Sequence, residues 1–495
     1  MRALLTLLLL ATLAFGGEPR RLILLHTNDV HGQLEPMPPS PLRPFLRSQE
    51  AGGFAHLATM VRAVRTEAEK TGASVLLLDG GDIFQGTPIG NLSKGESVVE
   101  AMNALGYDAM ALGNHEFDFG FGNMLALVQR ARFPVLAANM AGVKIVKPYV
   151  VFAPPKTPCR VCVIGLITPS TPTITTRGAV GPATFADPVP VVKALRREVE
   201  ADLFIVVDHL GRDEELALAR EVPGLAAVCG GHSHTPFVQK VGDTICVQTH
   251  TRALSLARID LDLDPDGWTV LRASAQLLPV DPKSVAPDPA VQAVRDRYGK
   301  EVAAEFGKVV GVLAAPLRKE RGYRSSTPGN WMADVIRRTG EAEIGFMNKG
   351  GIRTDLEAGE ITYADVFRLM PFDNAILSMD LTGAQVRALL ERHATVPVLE
   401  WSGLDVEIEH DGDARRLGRV EVNGAPLVDA KTYRVATHGY LAGGGDGFEM
   451  FREGRAIRET GILTRDALAA DLKERSPLTP PDDQRIRVLE KASRN

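Results

Sequence analysis

The sequence repeats one pattern, in which a short apolar run is followed by a cluster of polar residues. Segments with helical spacing, such as residues 54–70, lie between the runs. Continuous apolar strands that alternate with helices are typical of a sheet buried on both faces. We therefore predict an α/β fold. The predicted strands are residues 22–25, 75–78, 110–112, 203–207 and 226–229.

The polar clusters share one kind of chemistry. In a parallel sheet, ligands gather at the carboxyl ends of the strands. The clusters there offer carboxylate and amide oxygen and imidazole nitrogen without thiolate, which suits Zn²⁺, Mn²⁺ or Co²⁺ better than Mg²⁺. Any one of these residues alone is more often a cap or a turn. The candidates are Asp29, His31, Asp82, Asn114, His209, His232 and His234.

These side chains are too many for one tetrahedral ion, and they fit two divalent ions if one carboxylate bridges. Asp82 lies in the middle of the set and is the natural bridge. Two ions about 3.5–4 Å apart can activate a water and hold both oxygens of an in-line displacement at phosphorus. The pattern therefore predicts a two-metal hydrolytic centre.

The segment 113–118 has two interpretations. In one, it is a polar turn that caps a helix predicted at 122–132, with Asp118 near the helix start. In the other, His115 and Asp118 are a catalytic pair, because a carboxylate within reach fixes the imidazole tautomer and favours its charged form. The polar clusters at the other strand ends favour the second interpretation.

Length, charge and the N-terminus restrict the function classes. With 495 residues, two domains are expected. The net charge of −5 gives no basic footprint for nucleic acid. Residues 1–16 combine one basic residue, an apolar run and small residues, as in a cleaved secretory signal. No later stretch predicts a membrane span, so we expect a periplasmic or secreted protein of undetermined oligomeric state.

A proline-containing break separates two units. Residues 17–287 hold the polar strand ends, residues 288–306 predict a charged connector helix, and residues 307–495 form a mixed second unit. That arrangement makes a hinge between the units an expectation.

The four cysteines predict little chemistry. Cys159 and Cys162 lie three apart in or beside a predicted strand, where they point to opposite faces and make a poor chelate. Cys229 and Cys246 can pair if their strands are neighbours.

The polar clusters resemble the motifs of the calcineurin-like metallophosphoesterases, and more narrowly of the 5′-nucleotidase family. The matching segments are TNDVHG at 27–32, GGD at 80–82, GNHEFD at 113–118 and GGHSH at 230–234. The resemblance implies an N-terminal four-layer α/β/β/α domain and a smaller C-terminal α+β nucleotide-binding domain. It also implies that His115, oriented by Asp118, stabilises phosphoryl charge or assists the leaving oxygen.

The resemblance further implies how the ligands divide. One ion would be held by Asp29, His31, Asp82 and His234, and the second by Asp82, Asn114, His209 and His232. Some relatives carry Gln at the position of His234.

Three segments of the second unit resemble the substrate-binding segments of the family: 348–353, 371–374 and 440–446. The resemblance implies that Arg353 contacts phosphate or ribose and that Phe372 and Tyr440 enclose a base. Asp446 would bind ribose hydroxyls. Asn348 and Asn374 belong to the same predicted substrate set.

The chain departs from the family at one position of this unit. Gly322 stands where relatives have an arginine. Arg318, Arg321 and Arg324 lie nearby as possible substitutes.

The leading hypothesis is a secreted 5′-nucleotidase that converts nucleoside 5′-monophosphates to nucleoside and phosphate, with UDP-sugars or nucleoside di- and triphosphates as further candidates. A 2′,3′-cyclic-nucleotide phosphodiesterase/3′-nucleotidase is the alternative, and a thiosulfate-ester hydrolase is more remote. A non-catalytic nucleotide-binding protein is a different class. Metal-dependent release of phosphate from AMP separates the enzymes from that class.

Overall fold

The computed structural model describes residues 18–37, 50–175, 178–411 and 414–490. The predicted signal at 1–16 lies outside them. Within these residues, no helix combines the length and the apolar character that crossing a bilayer requires. Below, the first unit means residues up to 287, and the second unit means those from 307 onwards.

The first unit contains two six-stranded sheets whose central strands run parallel, and one edge of the first sheet and both edges of the second are antiparallel. In spatial order, the first sheet consists of Val270–Pro279, Ser255–Leu263, Arg20–Thr27, Ser74–Asp79, Ala109–Ala111 and Val135–Leu136. The second consists of Phe237–Val241, Thr244–Gln248, Ala227–Cys229, Leu203–His209, Val161–Ile167 and Tyr149–Phe152.

The strand Arg20–Thr27 shows why the sheets stack. Its side chains alternate, so Leu22 and Leu24 enter the apolar core between the two sheets while Ile23 and Leu25 face a helical layer. A strand that is apolar on both faces is stable only when both faces are covered. The sequence RRLILLHT therefore specifies a central strand of a layered structure.

Helices cover the outer face of each sheet, which completes the four-layer α/β/β/α arrangement and confirms the predicted fold class. The helices over the first sheet are Phe54–Thr71, Pro88–Leu92, Glu96–Leu105 and Phe121–Arg130. Those over the second sheet are Pro188–Glu198 and Arg212–Glu221, and a short helix, Thr171–Ile174, follows the strand Val161–Ile167. Two short antiparallel pairs complete the unit: Pro36–Met37 with Ala51–Gly52, and Met140–Ala141 with Thr184–Phe185.

The second unit is smaller and of mixed α+β type. Its main sheet has the order Leu399–Ser402, Ile344–Asn348, Thr432–His438, Ala375–Thr382 and Arg455–Leu463. A second sheet contains Ala425–Pro426, Ala414–Val422, Leu404–Asp411 and Ile486–Glu490, and Val309–Leu313 pairs with Gly359–Thr362. The helices are Thr327–Thr339, Tyr363–Leu369, Gly383–Thr395, Gly439–Ala442 and Thr464–Glu474.

A helix, Pro289–Phe306, occupies the region between the units. Asp288 caps it by accepting hydrogen bonds from the backbone N–H groups of its first turn, and proline at the first position lacks the N–H that would go unpaired. Tyr298 donates a 3.0 Å hydrogen bond to Glu100 of the first unit. At the other end, the Phe306 ring lies 5.3 Å from the Tyr363 ring of the second unit. This helix is therefore packed against both units.

All four cysteines are buried and free. Cys159 packs in the core between the sheets, whereas Cys162 faces the helices of the second sheet, so the two thiols point to opposite faces as predicted. The strands of Cys229 and Cys246 are neighbours, but Cys229 is aligned with Val247. This offset of one residue places the two thiols on opposite faces of the sheet.

Candidate active site

Loops at the carboxyl ends of both sheets bring the predicted ligands to one place. Those of the first sheet follow Arg20–Thr27, Ser74–Asp79 and Ala109–Ala111, and those of the second follow or end Leu203–His209 and Ala227–Cys229. The strand Leu203–His209 runs two residues further than the apolar pattern predicts, so His209 belongs to the strand itself. The set is Asp29, His31, Asp82, Asn114, His209, His232 and His234.

The side chains form two neighbouring clusters. Ligand atoms of Asp29, His31 and His234 lie within 4.8 Å of one another, as do those of Asp82, His209 and His232. A third such group, His31, Asp82 and His115, shares His31 with the first cluster and Asp82 with the second, so it connects the two.

Individual distances show how tightly the donors converge. His234 Nε2 is 3.1 Å from Asp29 Oδ1, and His209 Nε2 is 3.0 Å from Asp82 Oδ2. The Nε2 atoms of His31 and His234 are only 2.9 Å apart. Imidazole nitrogens and carboxylate oxygens therefore point at common centres.

The backbone at these positions is strained. Asp29, His31, Asp82, His232 and His234 all have positive φ angles, between 50° and 77°. For residues other than glycine such angles cost of order 1–3 kcal/mol each and persist where surrounding structure enforces them, often at functional sites. The loops are fixed to each other, because Asp29 N donates to Gly81 O at 3.0 Å and His31 N to Asp82 O at 3.1 Å.

The donor set fits the divalent metal ions that the resemblance implies. Asn114 Oδ1 is buried without a hydrogen-bond partner, whereas Asp29 Oδ1 and His209 Nε2 are buried and face other predicted ligands, His234 and Asp82. Buried polar atoms are normally paired, so an unpaired group needs an explanation such as a bound ion. Oxygen and imidazole donors without thiolate match a borderline divalent cation.

Burial sets the protonation of most of the histidines. It lowers the pKa of His232 to about 4, helped by the charge of His209, and it lowers the pKa of His31 and of His234. These imidazoles therefore favour the neutral form, which metal ligation requires. At His209 burial acts in the same direction, but the charge of Asp82 outweighs it and raises the pKa to about 10.

Glu116 has a structural role that the sequence does not reveal. Its Oε2 accepts hydrogen bonds from the backbone N–H groups of Gly113 at 2.6 Å and Asp82 at 3.1 Å, and its Oε1 from that of Ile83 at 2.9 Å. Burial and the charge of Asp82 raise the pKa of Glu116 to about 7. This carboxyl group fastens the loop of Asp82 to the loop of Asn114.

His115 and Asp118 form a direct pair, with 2.6 Å between His115 Nδ1 and Asp118 Oδ2. Burial disfavours a charged imidazole, but the charges of Asp118 and Asp82 outweigh it and raise the pKa of His115. The following helix begins at Phe121 and has Gly120 as its N-cap. Asp118 therefore binds His115 and does not cap that helix, which rules against the polar-turn interpretation.

A cavity of about 460 Å³ joins this site to the second unit. Such a volume lies in the ordinary range of small-molecule sites, about 300–1,000 Å³. Both units contribute to its wall, and all six predicted substrate residues line it. The lining residues are Gln85, Asn114, His115, Asp118, Phe119, Ile174, Thr175, His232, Asn348, Gly350, Gly351, Arg353, Phe372, Asp373, Asn374, Tyr440 and Asp446.

Phe372 and Arg353 lie on the side of the cavity nearest the metal-ligand cluster. The Phe372 ring is 5.9 Å from the His115 ring, and the Arg353 guanidinium carbon is 5.7 Å from the Phe372 ring. Arg353 Nη2 also lies 3.3 Å from His31 Nε2. A guanidinium here has access to a phosphate near the cluster.

Tyr440, Asp446 and Asn348 form a hydrogen-bonded group on the other side. Tyr440 donates to Asp446 Oδ1 and Asn348 Nδ2 donates to Asp446 Oδ2, each at 2.9 Å. His438 Nε2, buried below them, lies 3.0 Å from Asn348 Oδ1. These contacts fix the Asp446 carboxylate at the cavity wall.

None of the three arginines considered as substitutes at the Gly322 departure lines this cavity. Arg318 pairs with Glu357 at 2.6 Å and donates to backbone carbonyls instead. The segment of Arg321 and Arg324 is held by Lys349, whose Nζ donates to Arg324 O at 2.6 Å.

Two family models match the chain. Residues 22–236 match the model described as calcineurin-like phosphoesterase, and residues 309–453 match the 5′-nucleotidase C-terminal domain. The metal-ligand cluster lies in the first match, and the predicted substrate residues of the second unit lie in the second.

Relatives with known names cover nearly the whole chain. Protein UshA of Escherichia coli and a 5′-nucleotidase of Vibrio cholerae are each 29% identical to it, covering 92% of this chain and 92% and 91% of their own lengths. A trifunctional nucleotide phosphoesterase, YfkN of Bacillus subtilis, is 27% identical over 94% of this chain but only 35% of its own length.

Solved structures of related proteins lead to the same family. A 5′-nucleotidase precursor from Thermus thermophilus is 30% identical, with a TM-score of 0.86 and coverage of 95% of this chain and 100% of its own. The sulfate thiohydrolase SoxB of Thermus thermophilus, 22% identical with a TM-score of 0.80 over 96% of this chain and 98% of its own, shows the same fold. The chain therefore belongs to the 5′-nucleotidase family of the calcineurin-like phosphoesterases, which are hydrolases of phosphoric esters.

Proposed function

We propose that this protein is an exported 5′-nucleotidase that hydrolyses nucleoside 5′-monophosphates to nucleoside and phosphate with two divalent metal ions. One observation carries the proposal: a single cavity is lined by His115 and two predicted metal ligands from the first unit and by Phe372 and Tyr440 from the second. That combination suits a molecule with a phosphate at one end and a flat apolar base at the other.

The predicted ligands divide between two ions that share Asp82. Asp29, His31 and His234 would hold one ion with it, and Asn114, His209 and His232 the other, in keeping with the clusters and the unpaired Asn114 Oδ1 described above. Two such ions supply an activated water and charge neutralisation at phosphorus. We propose Zn²⁺, Mn²⁺ or Co²⁺ because the donors are oxygen and imidazole nitrogen.

His115 is the proposed acid or charge-stabilising group. Its raised pKa keeps the imidazole protonated to a higher pH than an isolated histidine would be, and Asp118 binds Nδ1 so that Nε2 can face the substrate. Arg353 adds a fixed positive charge for the phosphate or the ribose. His115 and Arg353 would both stabilise the negative charge that develops on the phosphoryl group during hydrolysis.

The nucleoside part is assigned to the second unit. A base between Phe372 and Tyr440 would gain about 1–3 kcal/mol per stacked ring contact, with little preference among bases. Asp446, held by Tyr440 and Asn348, offers carboxylate oxygens to ribose hydroxyls. Asn374 completes this proposed set from the same wall.

The proposal also covers the domain boundaries and the cellular location of the protein. Residues 17–287 would form the catalytic domain, residues 288–306 the connector helix and residues 307–495 the nucleotide-binding domain. Export rests on the signal-like residues 1–16. Sequencing the N-terminus of the mature protein from the periplasm or medium tests it.

A substrate panel tests the activity. The protein is freed of metal, supplied with Mn²⁺, Co²⁺ or Zn²⁺, and given AMP, UMP, ATP, UDP-glucose, 2′,3′-cyclic AMP and a thiosulfate ester. We expect the highest kcat/KM with the monophosphates, and UDP-glucose and ATP as further substrates of the same site. A preference for the cyclic nucleotide or the thiosulfate ester, or binding without turnover, would overturn the proposal.

A further inference from the structure

Two buried side chains of the first unit donate hydrogen bonds to backbone carbonyls of the second unit. Asn91 Nδ2 donates to Pro371 O at 3.0 Å, and Arg252 Nη2 donates to Arg353 O at 2.8 Å. Both donor residues are only 5% exposed. We propose that Asn91 and Arg252 form a clasp that positions the nucleotide-binding segments of the second unit against the metal-ligand loops; this rests on the proposed function.

At one end of the clasp, Arg252 is bonded to the loop that carries the predicted metal ligand Asp29. The backbone N–H of Arg252 donates to Asp29 O at 2.8 Å, and the residue has a positive φ of 62°. Burying a guanidinium is costly unless its N–H groups are paired. Its bond to Arg353 O therefore ties the Asp29 loop to the residue whose own guanidinium lines the cavity.

At the other end of the clasp, Asn91 is bonded to the loop that follows the predicted metal ligand Asp82. Asn91 Oδ1 accepts from Gly86 N at 3.0 Å, and its two amide hydrogens serve Gln85 Oε1 and Pro371 O. The backbone carbonyl oxygen of Gln85 lies 2.9 Å from His31 Nδ1. This contact leaves His31 Nε2 facing the metal-ligand cluster.

Both carbonyl acceptors lie where a displacement would matter. One belongs to Arg353 and the other immediately precedes Phe372, so each bond fixes the backbone of a predicted substrate contact. A substrate that spans the cavity needs its phosphate and its base placed together, and a misplacement of about 1 Å can cost about 100-fold in rate. A small aryl phosphate has neither ribose nor base, so we expect it to depend less than AMP on the position of the second unit.

The test compares AMP with p-nitrophenyl phosphate. In Asn91→Ala and Arg252→Ala, we expect the ratio of kcat/KM for AMP to that for p-nitrophenyl phosphate to fall about tenfold, the scale of one lost buried hydrogen bond. Arg252→Lys retains a donor and should recover part of the loss. Asn103→Ala is the matched control, because Asn103 also bridges backbone groups, those of Arg130 and Arg132, but within the first unit.

A second measurement does not depend on turnover. Hydrogen exchange of the metal-free protein, read by mass spectrometry, should be faster for peptides covering residues 350–375 in the clasp variants than in Asn103→Ala. The buried strand Leu203–His209 should exchange equally in all of them.

Each outcome is decisive. Equal losses for both substrates would assign Asn91 and Arg252 to local support of the metal-ligand loops and overturn the clasp, as would unchanged ratios with unchanged exchange. If the wild-type protein releases no phosphate from AMP, the proposed function fails, and the exchange measurement alone then decides whether the clasp exists.

Discussion

The contact between Asp118 and His115 leads to a quantitative prediction. The two side chains are each 11% exposed and their facing atoms are 2.6 Å apart. Asp118→Asn keeps the size of the side chain and an acceptor oxygen but removes the charge. A hydrogen bond to a charged group is worth about 1.5–3 kcal/mol. If that energy is realised in the transition state, kcat for AMP falls about 10- to 100-fold.

The same substitution should move the pH profile. The charge of Asp118 helps to raise the pKa of His115, so the wild-type imidazole stays protonated to a higher pH than an isolated histidine would. When that charge is removed the pKa falls. If the protonated form is the active one, the alkaline decline of kcat should begin at a lower pH in Asp118→Asn than in the wild type.

The assay is steady-state release of phosphate from AMP at saturating substrate across the pH range. Asp187→Asn is the control, because Asp187 only caps the helix Pro188–Glu198. An unchanged kcat together with an unchanged alkaline decline would refute the catalytic pairing, and the Asp118 contact would then be structural.

Three further substitutions have defined outcomes. The His115→Ala enzyme should retain its metal ions, measured by atomic emission, but its kcat should fall about 10²–10⁴-fold. An unchanged kcat would show that His115 takes no part in the reaction. Phe372→Ala and Tyr440→Ala should raise KM for AMP and UMP alike, measured by steady-state kinetics, with little effect on p-nitrophenyl phosphate; an unchanged KM would place the base elsewhere. Asp82→Asn should weaken the binding of both ions in calorimetric titration, because the carboxylate is shared, and loss of only one ion would contradict the bridge.

The buried strands and the polar residues at their ends were predictable from the sequence because their signals are local, whereas the four-layer arrangement was an expectation from the family resemblance. An apolar run such as 203–207 predicts a buried strand, and the topology of a parallel sheet brings the polar residues at several strand ends to one edge. His209 and Asp82 belong to different sheets, however, and they are neighbours because the two sheets stack with their polar strand ends on the same side. The His115–Asp118 pair was also visible, because a spacing of three residues fits a single turn.

The contacts between the units were not predictable in this way. Arg252 and Arg353 are 101 residues apart, and Asn91 and Pro371 are 280 apart, with no periodicity to connect them. Glu116 has acceptors that reach three backbone N–H groups on two loops, and only the folded loops reveal them. Such contacts depend on how separate elements pack, which propensity and spacing do not encode.

Metal dependence of AMP hydrolysis tests the central claim most directly. The protein is stripped with a strong chelator, its metal content is measured, and phosphate release from AMP is followed as Mn²⁺, Co²⁺ or Zn²⁺ is added back. The two-metal account predicts no turnover in the stripped protein and recovery that reaches its plateau at two bound ions per chain. Full turnover without metal, or a plateau at one ion, would contradict it.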